Sequence, residues 1–282
     1  MNKISVFGST GFIGSHFCSM YPDEVYKIPR EQRHPHPESV EILYLISTTD
    51  NYNVFSDITL DVKTNLLVLT KVLRQIRDYQ AAEYVDFCFN FVSSWFVYGH
   101  EQGAEYDLCD PKGFYSITKR CAEQLLISFC ETFNVKYRIF RMANTYGVGD
   151  KDVSSKKNIF LHFIEKLSRN EDIESYWGGA SFRDYIHVKD VCRAIHLCME
   201  KAPYNEIINI GSGKSVLFRY LMEYAIEKLG SSSKIIEIPP AKFHQTVQVR
   251  DFFMDTAKLQ SYGFVPEISI EQGIDEYIES LR

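Results

Sequence analysis

A strand followed at once by a glycine-rich turn opens the chain and restricts its fold more than any other feature. The segment KISVF at residues 3–7 predicts the strand, and the sequence GSTGFIG follows without a break at residues 8–14. Glycines at every third position let a backbone turn tightly, approach a phosphate closely and pack a helix against the strand. A helix that begins there directs its N–H groups and the positive end of its dipole at that phosphate. The motif alone is equally compatible with an ordinary tight turn.

Composition restricts the class of protein further. The 282 residues are 45% hydrophobic with a net charge of -6, so the chain can bury one large core or two small ones but offers no basic field to nucleic acid. Seven cysteines without a CxxC pair indicate reduced thiols rather than disulfides or a metal site. Because no signal segment precedes the first strand and no apolar run reaches membrane-spanning length, we expect a cytoplasmic protein without a membrane partner.

Strands and helices alternate along most of the chain. Apolar runs predict strands at residues 25–28, 40–46, 85–92, 136–140 and 206–210, and helical spacing of apolar residues predicts helices at 12–20, 59–79, 113–133 and 191–201. Such alternation is typical of a parallel sheet with crossover helices, whose ligands bind beyond the carboxyl ends of the strands. Residues 144–149 are predicted to form a loop. The alternation of strands and helices is interrupted at residues 150–183, and we expect the chain to return to the sheet at 184–188.

One serine, one tyrosine and one lysine form the candidate catalytic group. Tyr115 and Lys119 lie four residues apart on a predicted helix, so they share one face. A neighbouring ammonium is expected to lower the pKa of a phenol from about 10, which would let Tyr115 exchange protons near neutral pH. Ser94, at the carboxyl end of a predicted strand, would add a hydrogen bond to the same substrate oxygen. The same spacing recurs at Tyr185 and Tyr224, but in a strand-like segment and in a late helix respectively.

Six short motifs occur in an order typical of one enzyme family. They are GSTGFIG at 8–14, SSWFVYG at 93–99, YSITK at 115–119, RMANTYGVG at 141–149, RDYIHVKDV at 183–191 and NIGSG at 209–213. Through them the chain resembles the extended short-chain dehydrogenase/reductases of the NAD(P)-dependent nucleotide-sugar epimerase/dehydratase family. The resemblance implies an α/β fold, in which a Rossmann-type doubly wound parallel sheet carries a smaller α/β substrate-binding domain. Residues 1–143 and about 184–212 would bind the dinucleotide, and residues 144–183 and 213–282 the nucleotide sugar.

The resemblance also implies a role for each matching residue. Tyr115 would be the catalytic acid/base, Lys119 would hold the nicotinamide ribose, and Ser94 would bond the reacting oxygen. The residues implied to bind the cofactor are Gly8, Thr10, Gly11, Phe12, Ile13, Gly14, Asn65, Tyr115 and Lys119. Those implied to bind the substrate are Ser94, Asn144, Arg183 and Arg250, although the family's usual arginine lies nearer Gln245. Simpler explanations stay open, since Ser94 could cap a helix, Asn144 could suit a turn and Arg183 could pair with Asp184.

Two departures from the family pattern bear on the reaction. Dehydratases carry an Asp-Glu pair where this chain has Trp95 and Phe96, and aromatic rings cannot transfer protons, so dehydration is not expected. The end of the second strand carries Arg30 and Arg33 beside Glu31. The arginines favour the 2′-phosphate of NADP(H), whereas Glu31 keeps NAD(H) possible. The segment that follows is also shorter than in most of the family.

The expected activity is hydride transfer at one carbon of a nucleotide-diphosphate sugar. NADPH would favour reduction of a 4-keto-6-deoxy sugar at C4, whereas NAD would favour a 4-epimerase. A third possibility is a non-catalytic dinucleotide sensor or scaffold, which the joint presence of Ser94, Tyr115 and Lys119 argues against. By resemblance, the helices at 59–79 and 113–133 would pair with those of a second copy in a homodimer.

Overall fold

The computed structural model describes residues 3–83, 86–151 and 153–282. Its strands are β1 (Ile4–Phe7), β2 (Val25–Ile28), β3 (Glu41–Tyr44), β4 (Cys88–Ser94), β5 (Gln102–Gly103), β6 (Lys136–Met142), β7 (Asn144–Tyr146), β8 (Ile173–Tyr176), β9 (Phe182–His187), β10 (Glu206–Ile210), β11 (Ser215–Leu217), β12 (Ile235–Ile238) and β13 (Phe253–Met254). Its α-helices are α1 (Phe12–Met20), α2 (Val68–Glu83), α3 (Phe114–Phe133), α4 (Ile159–Ser168), α5 (Val188–Lys201), α6 (Phe218–Leu229), α7 (Lys242–Val247), α8 (Ala257–Ser261) and α9 (Ile270–Ser280).

Parallel strands in the order β2-β1-β3-β4-β6-β10 form the central sheet. All four residues of β1 are buried, as a strand covered on both faces requires. Side chains of α1 and α5 pack on one face of the sheet and those of α2 and α3 on the other. The predicted doubly wound parallel sheet is therefore confirmed. The carboxyl ends of its strands meet at one edge, where ligands of such sheets bind.

The link between β2 and β3 is short, as the sequence predicts. Residues 29–40 contain neither a helix nor a strand, and β2 is an edge strand of the sheet. The backbone N–H of His36 donates to Ser5 Oγ at 2.8 Å, and Ser39 Oγ donates to the carbonyl of Lys3 at 2.7 Å. The link therefore crosses the start of β1 directly.

A smaller unit is built from the later part of the chain. Its three-stranded sheet pairs β9 with β7 in parallel and with β11 in antiparallel orientation, and β12 pairs with β8. Apolar side chains of α4, α6 and α9 form its core. The structure corrects two expectations, because residues 144–146 are strand β7 rather than loop, and β9 does not return to the central sheet. The position beside β6 is taken by β10 instead. The division into two ligand-binding domains remains a prediction.

Two further elements differ from their predicted bounds. The strand predicted at 85–92 is observed as β4 at Cys88–Ser94, while residues 84–85 lie outside the described part of the chain. The helix predicted from residue 59 begins with a π-helical turn at Val62–Leu67 that leads into α2. Among the described residues, none of the helices combines the length and apolarity that crossing a bilayer requires.

Candidate active site

A large cleft lies along the carboxyl edge of the central sheet and has a volume of about 960 Å³. Segments that follow β1, β3, β4 and β6 form one wall, and α4 and β8 of the smaller unit contribute to the other. The sequence-predicted residues that line it are Gly8, Thr10, Gly11, Phe12, Ile13, Gly14, Ser94, Tyr115, Lys119, Asn144 and Arg183. Three predicted residues, Arg30, Asn65 and Arg250, are not part of this lining.

The glycine turn forms a tight cradle at one end of the cleft. Gly8 adopts a positive φ of 85°, and the N–H of Gly11 donates to the carbonyl oxygen of Gly8 at 3.0 Å. A Cβ on Gly14 would lie 2.2 Å from that same oxygen, so α1 can approach β1 this closely only with glycine there. No side chain caps the N-terminus of α1. Its first N–H groups and its dipole therefore suit a pyrophosphate, and the residues present fit a dinucleotide.

Ser94 and two aromatic residues end β4 beside Tyr115. Ser94 Oγ accepts the N–H of Phe96 at 3.3 Å. The ring of Phe96 lies edge-on to that of Tyr115, with centroids 6.1 Å apart, and Trp95 stacks on Phe96 at 4.0 Å. The positions after Ser94 thus present aromatic rings to the cleft.

Lys119 lies one helical turn after Tyr115 on α3, and both side chains are buried. Its Nζ donates to the carbonyl oxygen of Val92 at 2.6 Å and lies 4.3 Å from the ring centroid of Phe91. Both of these partners belong to β4. The strand that carries Ser94 therefore also fixes the lysine.

The protonation of Tyr115 and Lys119 differs from the sequence expectation. Burial raises the pKa of Tyr115 to about 12; the hydrogen bond from Ser94 lowers this pKa, whereas the charges of Asp61 and Asp50 raise it. Burial lowers the pKa of Lys119 to about 7, and only the charge of Glu123 opposes this. The predicted lowering of the tyrosine pKa by a neighbouring ammonium is thus wrong for this structure. Desolvation disfavours the charged phenolate of Tyr115 more than a positive charge on Lys119 would favour it.

A buried ion pair behind Lys119 was not predicted. Glu123 lies one further turn along α3 and is fully buried. Its carboxylate accepts hydrogen bonds from Arg141 Nε at 3.1 Å and Nη2 at 2.9 Å, and from Arg120 Nη1 at 2.8 Å. Although burial raises the pKa of Glu123, the bonds from Arg141 outweigh it and the pKa is lowered. The spacing of Lys119 and Glu123 at i and i+4 was the available sequence signal.

Asn65 does not line the cleft but supports its wall through hydrogen bonds. It lies in the π-helical turn, and its Oδ1 accepts from Thr48 N–H at 2.8 Å and Ser47 Oγ at 3.1 Å. Its Nδ2 donates to the hydroxyl oxygens of Thr48 and Thr118, each at 2.9 Å. These bonds tie the segment after β3, which lines the cleft, to helix α3. Direct contact of Asn65 with a cofactor is therefore not supported.

The residues predicted to bind the substrate differ in position. Asn144 and Arg183 line the cleft, where Asn144 Nδ2 donates to the carbonyl of Asp184 at 3.0 Å. The guanidinium of Arg183 donates to the carbonyls of Phe182, Val249 and Arg250, and its carbon lies 5.2 Å from the ring centroid of Trp95.

Arg250 and Arg30 are not among the residues that line the cleft. Arg250 Nε donates to the carbonyl of Ala180 at 3.0 Å, and its guanidinium lies over Trp177 at 5.5 Å. Arg30 is exposed just beyond the end of β2. Trp177 itself lines the cleft, and β2 pairs with β1 up to Phe7, directly before the glycine turn. The binding roles of Arg250 and Arg30 therefore stay predictions.

A basic wall on the smaller unit was also missed. The lysines that line the cleft there are Lys151, Lys156, Lys157 and Lys166. Lys156 and Lys157 lie immediately before α4, whose N-cap residue Asn158 makes no side-chain capping bond. Cations and a helix N-terminus on one wall suit a diphosphate. The adjacent pair Lys156-Lys157 just before an apolar segment was the signal in the sequence.

Several known proteins are similar to this chain in sequence. The family model described as the NAD dependent epimerase/dehydratase family matches residues 41–211. A putative UDP-glucose 4-epimerase of Methanocaldococcus jannaschii is 24% identical, and the match covers 99% of this chain and 98% of that protein. A dTDP-4-dehydro-6-deoxyglucose reductase of Escherichia coli is 29% identical over 66% of this chain and 58% of its own length.

Solved structures share the fold over nearly the whole chain. UDP-glucose 4-epimerase of Thermotoga maritima with UDP-glucose superposes with a TM-score of 0.84 at 25% identity, covering 99% of this chain and 98% of that one. Further structures at 20% and 21% identity, one with NAD and one with NADPH, show the fold alone.

Proposed function

The chain belongs to the NAD dependent epimerase/dehydratase family, and from this premise we propose that it reduces the C4 carbonyl of a 4-keto-6-deoxy nucleotide-diphosphate sugar with NADPH. The substrate's diphosphate would lie along the basic wall before α4, and its sugar beside Tyr115. The cofactor's pyrophosphate would lie in the cradle of Gly8, Gly11 and Gly14.

The aromatic pair after Ser94 is the main argument for hydride transfer rather than dehydration. Trp95 and Phe96 stack beside Tyr115, and neither ring can protonate a leaving hydroxyl or remove a neighbouring proton. These positions therefore supply neither the acid nor the base that elimination of water needs. The remaining reaction of the family is hydride transfer at a single carbon. The ring of Phe96 also offers an apolar surface to the methyl group of a 6-deoxy sugar.

Each residue of the site has a separate role in the proposed reduction. A nicotinamide dinucleotide bound in the cradle supplies the hydride. Tyr115 donates its proton to the C4 oxygen, and Ser94, which lines the same part of the cleft, holds that oxygen in place. Lys119 lies one turn away and would hold the nicotinamide ribose, while the charge of Glu123 favours its ammonium form.

The short link between β2 and β3 supports a reductase over an epimerase. An epimerase returns the same hydride, so it must retain its cofactor, whereas a reductase must exchange it. Residues 29–40 contain no strand or helix to enclose the adenosine end, and β2 ends in Pro29-Arg30 rather than in a carboxylate. Both features suit an exchangeable NADP(H). An NAD-dependent 4-epimerase remains the second candidate, because the relative from Methanocaldococcus jannaschii matches over its whole length.

Identification of the bound nucleotide separates these two candidates. The purified protein is denatured, released nucleotides are identified by mass spectrometry, and the emptied protein is titrated with NADPH and NADH. We expect an empty protein that binds NADPH at least about tenfold more tightly than NADH, because a cation rather than a carboxylate faces a 2′-phosphate. Release of stoichiometric NAD that resists exchange would contradict the reductase and favour the epimerase.

The variant Tyr115→Phe tests catalysis itself. It keeps the ring beside Phe96 but removes the proton donor, so we expect turnover of a 4-keto sugar nucleotide to fall by at least about a hundredfold. Binding of NADPH should stay within about threefold of wild type. The matched control is Tyr146→Phe, because the Tyr146 hydroxyl is buried elsewhere. Full turnover by Tyr115→Phe would refute this role, and a wild type that binds dinucleotide but converts no keto-sugar would indicate a non-catalytic protein.

A further inference from the structure

Tyr185 lies on the face of β9 that the smaller unit presents to the cleft. Side chains of a strand alternate between its two faces, and Arg183 and Tyr185, two residues apart on β9, both line the cleft. Asp184 between them is fully buried. The strand register pairs Tyr185 with Asn144 of β7, which also lines the cleft. Tyr185 is therefore a direct neighbour of two residues that were predicted to bind the substrate.

The ring of Tyr185 packs against the first turn of α4. Its centroid lies 5.0 Å from that of Phe160, the second residue of α4, and 6.5 Å from that of Tyr146. Phe160 lines the cleft, as do Lys156 and Lys157 just before the helix. The N-terminus of α4 has no side-chain cap. These contacts place Tyr185 beside the wall along which the proposed diphosphate would lie.

The hydroxyl of Tyr185 is an available hydrogen-bond donor. It has no hydrogen-bond partner in the part of the chain that the structure describes. The side chain is half-buried, and its hydroxyl is not sealed from the cleft. Burial raises the pKa of Tyr185, although the charge of Arg183 opposes this rise. A phenol with a raised pKa keeps its proton at neutral pH and can donate a hydrogen bond to an acceptor in the cleft.

The donors beside Tyr185 already have partners within the protein. The guanidinium of Arg183 donates to three backbone carbonyls, and Asn144 Nδ2 donates to another at 3.0 Å. A phosphate oxygen in this part of the cleft would therefore meet an unused donor in the phenol. Because the phenol is neutral, its hydrogen bond does not depend on the balance between the lysines of the wall and the carboxylates of Asp150 and Glu174, which line the same part.

On the basis of the function proposed above, we infer that Tyr185 is a substrate-binding residue whose hydroxyl donates to the diphosphate of the nucleotide sugar. A hydrogen bond to a charged oxygen is stronger than one between neutral groups. The diphosphate is common to the nucleotide sugar and to the free nucleoside diphosphate, so both ligands gain this bond. Tyr185 thus contributes to the affinity for the substrate rather than to the chemical step at Tyr115.

The variant Tyr185→Phe tests this bond, because it keeps the ring against Phe160 and removes only the hydroxyl. Isothermal titration first measures UDP, dTDP and GDP, and then compares the nucleotide that binds most tightly with its glucose derivative. We expect both ligands to bind the variant at least about fivefold more weakly than wild type, and by factors that agree to within about twofold, because the bond is common to both. Binding of NADPH at the glycine cradle should stay within about threefold of wild type.

The matched control is Tyr224→Phe. Tyr224 also precedes a lysine by four residues, but its hydroxyl donates to Asp275 and it does not line the cleft. This variant should leave the affinities for both ligands unchanged.

The possible results separate the inference from the proposed function. Wild-type affinity for both ligands in Tyr185→Phe, or a loss confined to the glucose derivative, overturns the inference while nucleotide binding still supports the proposed function. An equal loss of NADPH binding would show a change of the fold rather than of one hydrogen bond, and also overturns the inference. Failure of all three nucleoside diphosphates to bind wild type refutes the proposed function and the inference together.

Discussion

Burial is the largest influence on the pKa values of the candidate catalytic residues Tyr115 and Lys119. Spacing in the sequence was enough to bring Ser94, Tyr115 and Lys119 together, because a strand end and one helical turn fix their positions. It was not enough to predict their protonation, because the desolvation of Tyr115 and Lys119 depends on β4 and α3 packing over both. The roles predicted for Arg30 and Arg250 stay predictions, because the directions of their side chains depend on packing that sequence spacing does not fix.

Replacing Lys119 with methionine should stabilise the protein in a pH-dependent way. Burial lowers the pKa of Lys119 to about 7, whereas a lysine in the unfolded chain titrates at about 10.4. Between these values the unfolded state binds more protons, so the stability contributed by this group is present at high pH and is lost as pH falls toward 7. The advantage of Lys119→Met should therefore be largest at or below neutral pH and shrink above it.

The measurement is the free energy of unfolding of both proteins at pH values from about 6 to about 9. Above pH 7 the gap should close by up to about 1.4 kcal/mol per pH unit, the value for one proton. Lys71→Met is the control, because Lys71 is exposed on α2. A gap that stays constant over this range would show that the lysine is not desolvated as described.

Elements with a continuous apolar run or a clear helical period were predictable, and short strands were not. The residues of α1 and β2 match their predicted bounds, since glycine and proline mark their ends. In contrast, β7 has three residues and β9 pairs outside the central sheet. Their partners lie far away in sequence, so only the tertiary fold determines which sheet they join.

The variant Gly14→Ala, in the first helix, should lower both the stability of the protein and its affinity for the cofactor. The added Cβ would meet the carbonyl oxygen of Gly8 at 2.2 Å and its carbon at 2.9 Å. Both are backbone atoms, so α1 must move away from β1 and the cradle must open. We expect a loss of about 1–3 kcal/mol of stability and about tenfold or greater weakening of dinucleotide binding. Thermal unfolding and dinucleotide titration measure these effects.

The control for this variant lies on the same helix. Ser19 is exposed on α1, so Ser19→Ala should leave both quantities within experimental error. Wild-type dinucleotide affinity in Gly14→Ala would mean that the cradle is not the pyrophosphate site, even if stability falls.

The whole molecule carries an apolar surface that its own chain does not cover. On the outer side of the π-helical turn and α3, Leu67 is 51%, Ile117 is 48% and Leu125 is 39% exposed. Val62 and Phe114 extend this surface. Contiguous exposed apolar residues on two neighbouring helices are typical of an interface between protein molecules. The homodimer expected from the sequence resemblance therefore stays a prediction with a defined surface.

A charge placed in this surface should separate the two copies. In a symmetric dimer each substitution occurs twice at the same interface, so Ile117→Asp and Leu125→Asp each bury two unpaired carboxylates when the copies associate. We expect wild type to have the mass of a dimer and both variants that of a monomer, as measured by size-exclusion chromatography with light scattering. Val265→Asp is the control, because Val265 is 70% exposed away from α2 and α3. A monomeric wild type, or variants that remain dimeric, would place the assembly elsewhere and leave this apolar face without a second copy to cover it.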